Sequence, residues 1–121
     1  MYVKDIIKEE DSNIDDMLVD IIVSDGKYEC IAMYDFPELK KGNILNNPLD
    51  ALSSVNIKIS TKEIGLYKLK NYYAYKIVGI LDKKNSIVHV GNILIKIDGD
   101  IPGDILNTKI EFQCDRLDCM G

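Results

Sequence analysis

Apolar and polar residues alternate along much of this chain with the period of two that is typical of β-strands. Residues 55–60 (VNIKIS) place Val55, Ile57 and Ile59 on one face and polar side chains on the other, which predicts a half-buried strand. Residues 109–114 (KIEFQC) alternate in the same way and predict a strand whose apolar side chains point inward.

Residues 17–34 predict a β-hairpin. Two runs of β-branched and aromatic residues lie on either side of Asp25-Gly26. This dipeptide favours a type I′ turn, because both central residues of that turn need a positive φ.

Residues 72–81 and 86–97 predict two long strands that pair around a tight turn at residues 82–85. Gly79 and Gly91 lie inside these strands, where a glycine marks a bulge or a bend. Paired strands with such glycines favour a sheet that curls into a barrel.

Two segments lack a clear strand pattern. Residues 35–54 are rich in proline, glycine and asparagine and predict a long connection, in which Pro48 is suited to start one short helical turn. Residues 1–12 fit a helix and a strand equally well.

These elements predict an all-β, mainly antiparallel fold in a single domain over residues 1–121. The architecture we expect is a small OB-like β-barrel of about six strands with at most one or two short helices. A β-sandwich is the alternative.

The composition is that of an ordinary globular protein, since 46% of the 121 residues are apolar and 29% are charged. Three cysteines, an odd number, exclude a full disulfide framework, and the spacing of Cys114 and Cys119 does not suit zinc. The first residues show no signal-peptide pattern, and no apolar run approaches the ~20 residues that span a bilayer. We therefore expect a cytoplasmic protein with buried or free thiols and no membrane association.

Acidic residues concentrate near the two ends of the chain, whereas the middle is basic, and the net charge is −5. This balance repels phosphate backbones and attracts basic partners. The functional interpretation is an anionic surface that docks a cationic protein, because complementary charge speeds such encounters. The candidate partner-binding residues are Glu9, Glu10, Asp11, Asp15, Asp16, Asp98, Asp100 and Asp104.

Residues 98–104 (DGDIPGD) gather three carboxylates and two glycines and invite comparison with a calcium-binding EF-hand loop. Pro102 stands at the fifth position and Lys109 at the twelfth, where an EF-hand needs an oxygen ligand and a glutamate. The segment therefore predicts a turn between strands, and no metal site is expected.

No catalytic motif is present. The chain lacks a phosphate loop, a dinucleotide-binding fingerprint, a nucleophile elbow and a set of zinc ligands. The single histidine, His89, lies in an alternating strand and is expected to face the core or a neighbouring strand. We expect neither enzymatic activity nor a cofactor.

The basic middle of the chain interleaves lysines with tyrosines, as OB barrels do where they hold single-stranded nucleic acid. The alternative function is therefore an OB-like module for single-stranded nucleic acid or a small ligand. Scarce arginine and the acidic net charge make nucleic acid the less favoured partner. The alternative binding residues are Lys58, Lys62, Tyr67, Lys68, Lys70, Tyr72, Tyr73 and Tyr75.

Residues 14–43 and 72–119 carry a Ser-Asp-Gly hairpin, a Cys-containing strand, a Pro-containing loop and a Gly-Asp…Pro-Gly-Asp loop before a final acidic strand. This pattern resembles small uncharacterised bacterial β-barrel proteins, and it is similar to the small acidic immunity proteins of bacterial toxin systems. The resemblance implies stoichiometric inhibition of a cognate toxin, often a basic nuclease, by occlusion of its active site. It assigns no residue of this chain a role.

Overall fold

A computed structural model describes residues 1–7, 19–34 and 39–119, and these form an all-β fold. Eight of the ten strand pairs are antiparallel, which confirms the predicted class. No helix occurs within the described ranges. The strands are β1 (Tyr2–Ile7), β2 (Val19–Ser24), β3 (Glu29–Tyr34), β4 (Leu49–Leu52), β5 (Val55–Ile59), β6 (Gly65–Lys68), β7 (Tyr75–Asp82), β8 (Ile87–Val90), β9 (Ile93–Lys96), β10 (Lys109–Cys114) and β11 (Arg116–Cys119).

All eleven strands belong to one mixed sheet in the order β1-β2-β3-β11-β4-β9-β8-β7-β10-β5, and β6 shares one edge of β7 with β8. β1 and β5 end this order without pairing with each other, so the sheet is open. The structure therefore does not support a closed barrel of about six strands, nor the two separate sheets of a sandwich.

One face of the sheet forms a single apolar core. Phe112 of β10, Ile77 of β7 and Ile21 of β2 are fully buried there. The predicted inward orientation of Ile110, Phe112 and Cys114 is confirmed, since all three are buried.

The sheet folds over, because strands far apart in its order meet. The Tyr75 hydroxyl of β7 accepts a hydrogen bond from the Ile31 N–H of β3 at 2.9 Å, although four strands separate β3 from β7. At the hairpin ends, the Asn92 N–H donates to Oδ2 of Asp25 at 2.8 Å. These contacts hold the two halves of the open sheet around the core.

The predicted hairpin at residues 17–34 is confirmed in β2 and β3, but its turn differs from the prediction. The turn spans residues 25–28, and Gly26 alone among them has a positive φ, so the type I′ assignment is wrong. Asp25 instead accepts the N–H groups of Lys27 and Tyr28 at 2.9 and 2.7 Å. Burial opposes its ionisation, but these backbone donors and that of Asn92 outweigh burial and lower the pKa of Asp25.

The strand predicted at residues 55–60 forms as β5, but it is not half-buried. Val55 and Ile59 are 51% and 60% exposed. A register shift opposite β10 pairs Val55 with Gln113 and Ile59 with Ile110, and Asn56 takes a left-handed conformation with φ 57°. The alternation is therefore broken between Val55 and Ile59, because a bulge reverses the face on which later residues lie.

Residues 86–97 form two strands rather than one long strand. β8 and β9 pair as a hairpin, and Gly91, with φ 60°, lies in its turn instead of in a bulge. Gly79 is a regular member of β7, where an added Cβ would lie 2.6 Å from the carbonyl oxygen of His89. Glycine there permits a close approach of β7 and β8.

Three further expectations are resolved. Residues 49–52, where Pro48 was expected to start a helical turn, form strand β4. Residues 2–7 are strand, and residues 8–12 lie outside the described ranges. His89 was expected to face the core or a neighbouring strand; it is exposed on β8, which excludes the core, and it lies in register with Ile80 and Leu94 of the two neighbouring strands.

Candidate functional site

An acidic row crosses the outer face of the sheet. Asp20 on β2 pairs with Met33 on β3, Met33 with Asp118 on β11, and Asp118 with Asp50 on β4. Cross-strand partners point to the same face, and the residues that follow Asp20 and Asp50 and precede Asp118 are fully buried on the other face. We call Asp20, Asp50 and Asp118 the acidic row.

The acidic row borders a groove of about 390 Å³ along β4, β9 and β11. Asp50, Asp98 and Asp118 line this groove together with a single lysine, Lys96. Arg116 donates to Asp118 from Nε at 2.8 Å and from Nη2 at 3.1 Å, which offsets one of the three carboxylates. The groove therefore keeps an excess of negative charge that suits a cationic side chain.

Asp50 and Asp118 lie directly opposite each other in the antiparallel β4–β11 pair. Side chains in such positions have Cβ atoms about 4.5–5.5 Å apart, and like charges there destabilise a sheet. Arg116 offsets Asp118, and Lys96 lies in register with Asp50, so the fold already balances part of this opposition.

The loop acids of the predicted site differ in what they contact. Asp98 accepts the Ser53 N–H at 2.9 Å and the Ser54 N–H at 2.8 Å. Hydrogen bonding from Ser54 and from the Ser53 N–H lowers the pKa of Asp98 against the opposing effect of burial. Asp100 and Asp104 are exposed in the same loop. Asp98 thus has a structural role in the β4–β5 turn as well as a place in the groove.

The other predicted acids lie outside the described residues. These are Glu9, Glu10, Asp11, Asp15 and Asp16.

Part of the lysine–tyrosine segment is brought together around Lys68. Its Nζ lies 5.2 Å from the ring centroids of both Tyr72 and Tyr75. The same ammonium donates to the carbonyl oxygens of Asn71, at 2.7 Å, and of Tyr72. Lys68 therefore holds the β6–β7 connection and is not a free cation.

Two of the four candidate tyrosines present much of their ring to solvent, Tyr67 at 41% and Tyr72 at 50% exposure. Tyr75 is buried, which raises its pKa to about 12. Tyr73 donates to the Asp20 carboxylate at 3.0 Å. Two rings rather than four are thus open to stacking by nucleobases.

A buried carboxylate that the sequence pattern did not indicate lies beneath Lys62 and Lys76. Glu111 on β10 is 4% exposed and accepts the Ser60 hydroxyl at 3.0 Å. Lys62 and Lys76 approach its Oε2 at 3.5 and 3.4 Å. Burial alone would raise the pKa of Glu111, but the Ser60 hydrogen bond and the two lysines lower it.

The sequence pattern did not indicate Glu111 as a buried residue, because it stands at a polar position of the alternating segment KIEFQC, where an acidic side chain is expected to face solvent. The available signal was its position between two buried residues of a strand that pairs on both sides. The alternative residues Lys58 and Lys70 are exposed, on β5 and in the β6–β7 connection.

The cysteine expectation is confirmed, since Cys30, Cys114 and Cys119 are buried thiols. Burial raises the pKa of the Cys114 thiol to about 12 and also raises that of Cys30. Within the described ranges, no three His, Cys, Asp or Glu side chains are grouped as a metal ion would need.

None of the described residues belongs to a helix of the length and apolarity that crossing a membrane requires. Comparison with protein families, with characterised proteins and with solved structures found no match to this chain.

Proposed function

We propose that this chain is an acidic protein-binding module that docks a cationic partner on the acidic row and its groove. The observation that carries the proposal is the direct opposition of Asp50 and Asp118 beside Asp98 in one groove. A lysine or arginine side chain inserted there would gain charge-assisted hydrogen bonds to the negative charge that Arg116 and Lys96 leave in excess.

The form of this function that we favour is a bacterial immunity protein, which neutralises a cognate toxin by covering its basic active site. Carboxylates held on a sheet face can occupy positions that substrate phosphates take in a nuclease. The exposed Asp100 and Asp104 extend the negative surface beyond the groove and support steering of such a partner.

The test is co-expression with the protein encoded by the adjacent gene. We expect a complex of equal stoichiometry that survives size-exclusion chromatography, and rescue of growth when that protein is toxic. An adjacent product that is neither basic nor toxic, and that elutes separately, would count against the immunity role.

The alternative of single-stranded nucleic acid is supported by the exposure of Tyr67, Tyr72 and Lys70. Fluorescence anisotropy with labelled oligonucleotides at low salt discriminates between the two functions, because electrostatic binding is strongest there. Binding that Tyr72→Ala abolishes would favour this alternative over a protein partner.

A further inference from the structure

A second cleft, away from the acidic row, carries more lysines than its carboxylate can neutralise. It measures about 210 Å³ and lies on β5, β10 and β7. Lys58, Lys76 and Glu111 line it together with Asn56 and Gln113, and Lys62, which is not part of the lining, contacts Glu111.

The Glu111 carboxylate holds two lysine side chains beside this cleft. Its Oε1 accepts the Ser60 hydroxyl at 3.0 Å, which leaves Oε2 for Lys62 at 3.5 Å and Lys76 at 3.4 Å. One carboxylate therefore faces two ammonium groups. The two ammonium groups also act on each other, so that the pKa of Lys62 is lowered while that of Lys76 is raised.

Lys58 adds a third positive charge. It pairs in register with Glu111, so both side chains lie on the same face. It is exposed, and it forms no salt bridge with any residue of the described ranges. Three lysines around one carboxylate leave a surplus of two positive charges.

We propose that this cleft binds the phosphate group of a small ligand through Lys58 and Lys76, with Lys62 adding positive charge beside Glu111 and the Asn56 and Gln113 amides as further donors. A phosphate group carries about −1.5 to −2 charges near neutral pH, which matches the surplus. Lysine binds phosphate as a point charge and needs no planar geometry.

The size of the cleft agrees with this ligand. Its 210 Å³ is several times the ≈ 30 Å³ of one water molecule and smaller than the ≈ 300–1,000 Å³ of pockets for drug-sized ligands. It therefore suits one phosphate group better than a whole extended ligand. The site goes beyond the proposed protein-binding function and does not depend on it.

The test is titration of the ¹⁵N-labelled protein with inorganic phosphate at constant ionic strength, set with sodium chloride. We expect saturable shifts of the amides of Ser60, Lys76 and Gln113. Lys58→Gln should weaken binding about two- to fivefold, the range of one exposed charge pair. Lys84→Gln, which removes an exposed lysine from the β7–β8 turn, is the matched control and should leave the affinity unchanged.

Glu111→Gln gives a test of opposite sign. It frees Lys62 and Lys76 from the carboxylate, so phosphate should bind more tightly to this variant. Shifts that equal those of chloride, or equal losses in the Lys58 and Lys84 variants, would overturn the proposal. If Glu111→Gln does not fold, the comparison of the two lysine variants decides.

A third experiment compares free phosphate with the phosphate group of a nucleotide and of an oligonucleotide. Inorganic phosphate and thymidine 5′-monophosphate should bind with affinities within about tenfold of each other, a difference of about 1.4 kcal/mol. Binding of a single-stranded oligonucleotide alone, with no effect of either small phosphate, would overturn a small-ligand site.

Discussion

Asp98 joins the loop of residues 98–104 to the β4–β5 turn, and Asp98→Ala tests that role. Its two carboxylate oxygens accept the N–H groups of Ser53 and Ser54 at 2.9 and 2.8 Å. Ser53 has a left-handed backbone with φ 58°, a conformation that costs a non-glycine residue about 1–2 kcal/mol. The carboxylate helps to offset that cost.

The expected loss follows from the two hydrogen bonds. A hydrogen bond to a charged group contributes about 1.5–3 kcal/mol, and exposure of Asp98 places the pair near the lower limit. We therefore expect Asp98→Ala to lower the free energy of unfolding by about 1.5 kcal/mol. For 121 residues this corresponds to a fall in Tm of about 6 °C.

The measurement is urea unfolding followed by far-UV circular dichroism, with Asp100→Ala as the control. Asp100 is exposed in the same loop, and its variant should stay within about 0.5 kcal/mol of the parent. Because the folded state lowers the pKa of Asp98, its contribution is present above the ordinary pKa of 3.8 and is lost as the pH falls through the lowered value. The difference between parent and Asp98→Ala should therefore shrink on acidification from pH 7 towards about pH 3. Equal losses for the Asp98 and Asp100 variants, or a difference that does not change with pH, would refute the reasoning.

Three further predictions concern stability and reactivity. Gly79→Ala places a Cβ 2.6 Å from the carbonyl oxygen of His89 and should lower the free energy of unfolding in urea by about 3 kcal/mol. Gly103→Ala, whose Cβ meets nothing within 4 Å, should be nearly neutral, and similar losses in both variants would contradict the close approach of β7 and β8. Ser53→Gly should raise the free energy of unfolding by about 0.5 kcal/mol, because relief of the left-handed strain exceeds the entropy cost of glycine, and a clear loss would argue against that strain. The three buried thiols should react with DTNB at pH 8 only after denaturation, since burial raises the pKa of Cys114 to about 12, and prompt reaction of the folded protein would show that they are accessible.

The sequence pattern predicted strands well where alternation continues through the whole element. β10 is such a case, since its apolar residues alternate without a bulge along β7. The strand at β5 was predicted, but its half-burial was not found, because the left-handed Asn56 and the register shift depend on how β10 pairs, which no local pattern contains. The turn at Gly91 was hidden for a related reason: a glycine in an apolar run fits a bulge and a hairpin turn equally well.

The candidate site was predicted less completely than the fold. The acidic charge of the site could be predicted from the sequence, and the predicted residue Asp98 does line the groove, but the acidic row was not predicted. Asp20, Asp50 and Asp118 are far apart in the sequence, and the β2–β3, β3–β11 and β4–β11 pairs together bring them into one row. Such register is set by long-range pairing and by the core on the opposite face.

The central claim is that the groove beside Asp50 and Asp118 docks a cationic protein. Its most direct test is isothermal titration calorimetry of the adjacent-gene product with the Asp50→Asn/Asp118→Asn double variant. The control is the Asp82→Asn/Glu63→Gln double variant, which removes two charges near β6–β8. We predict that the groove variant binds at least about tenfold more weakly, a loss of about 1.4 kcal/mol, while the control keeps the parent affinity. Equal affinity of the groove variant and the parent would contradict the account.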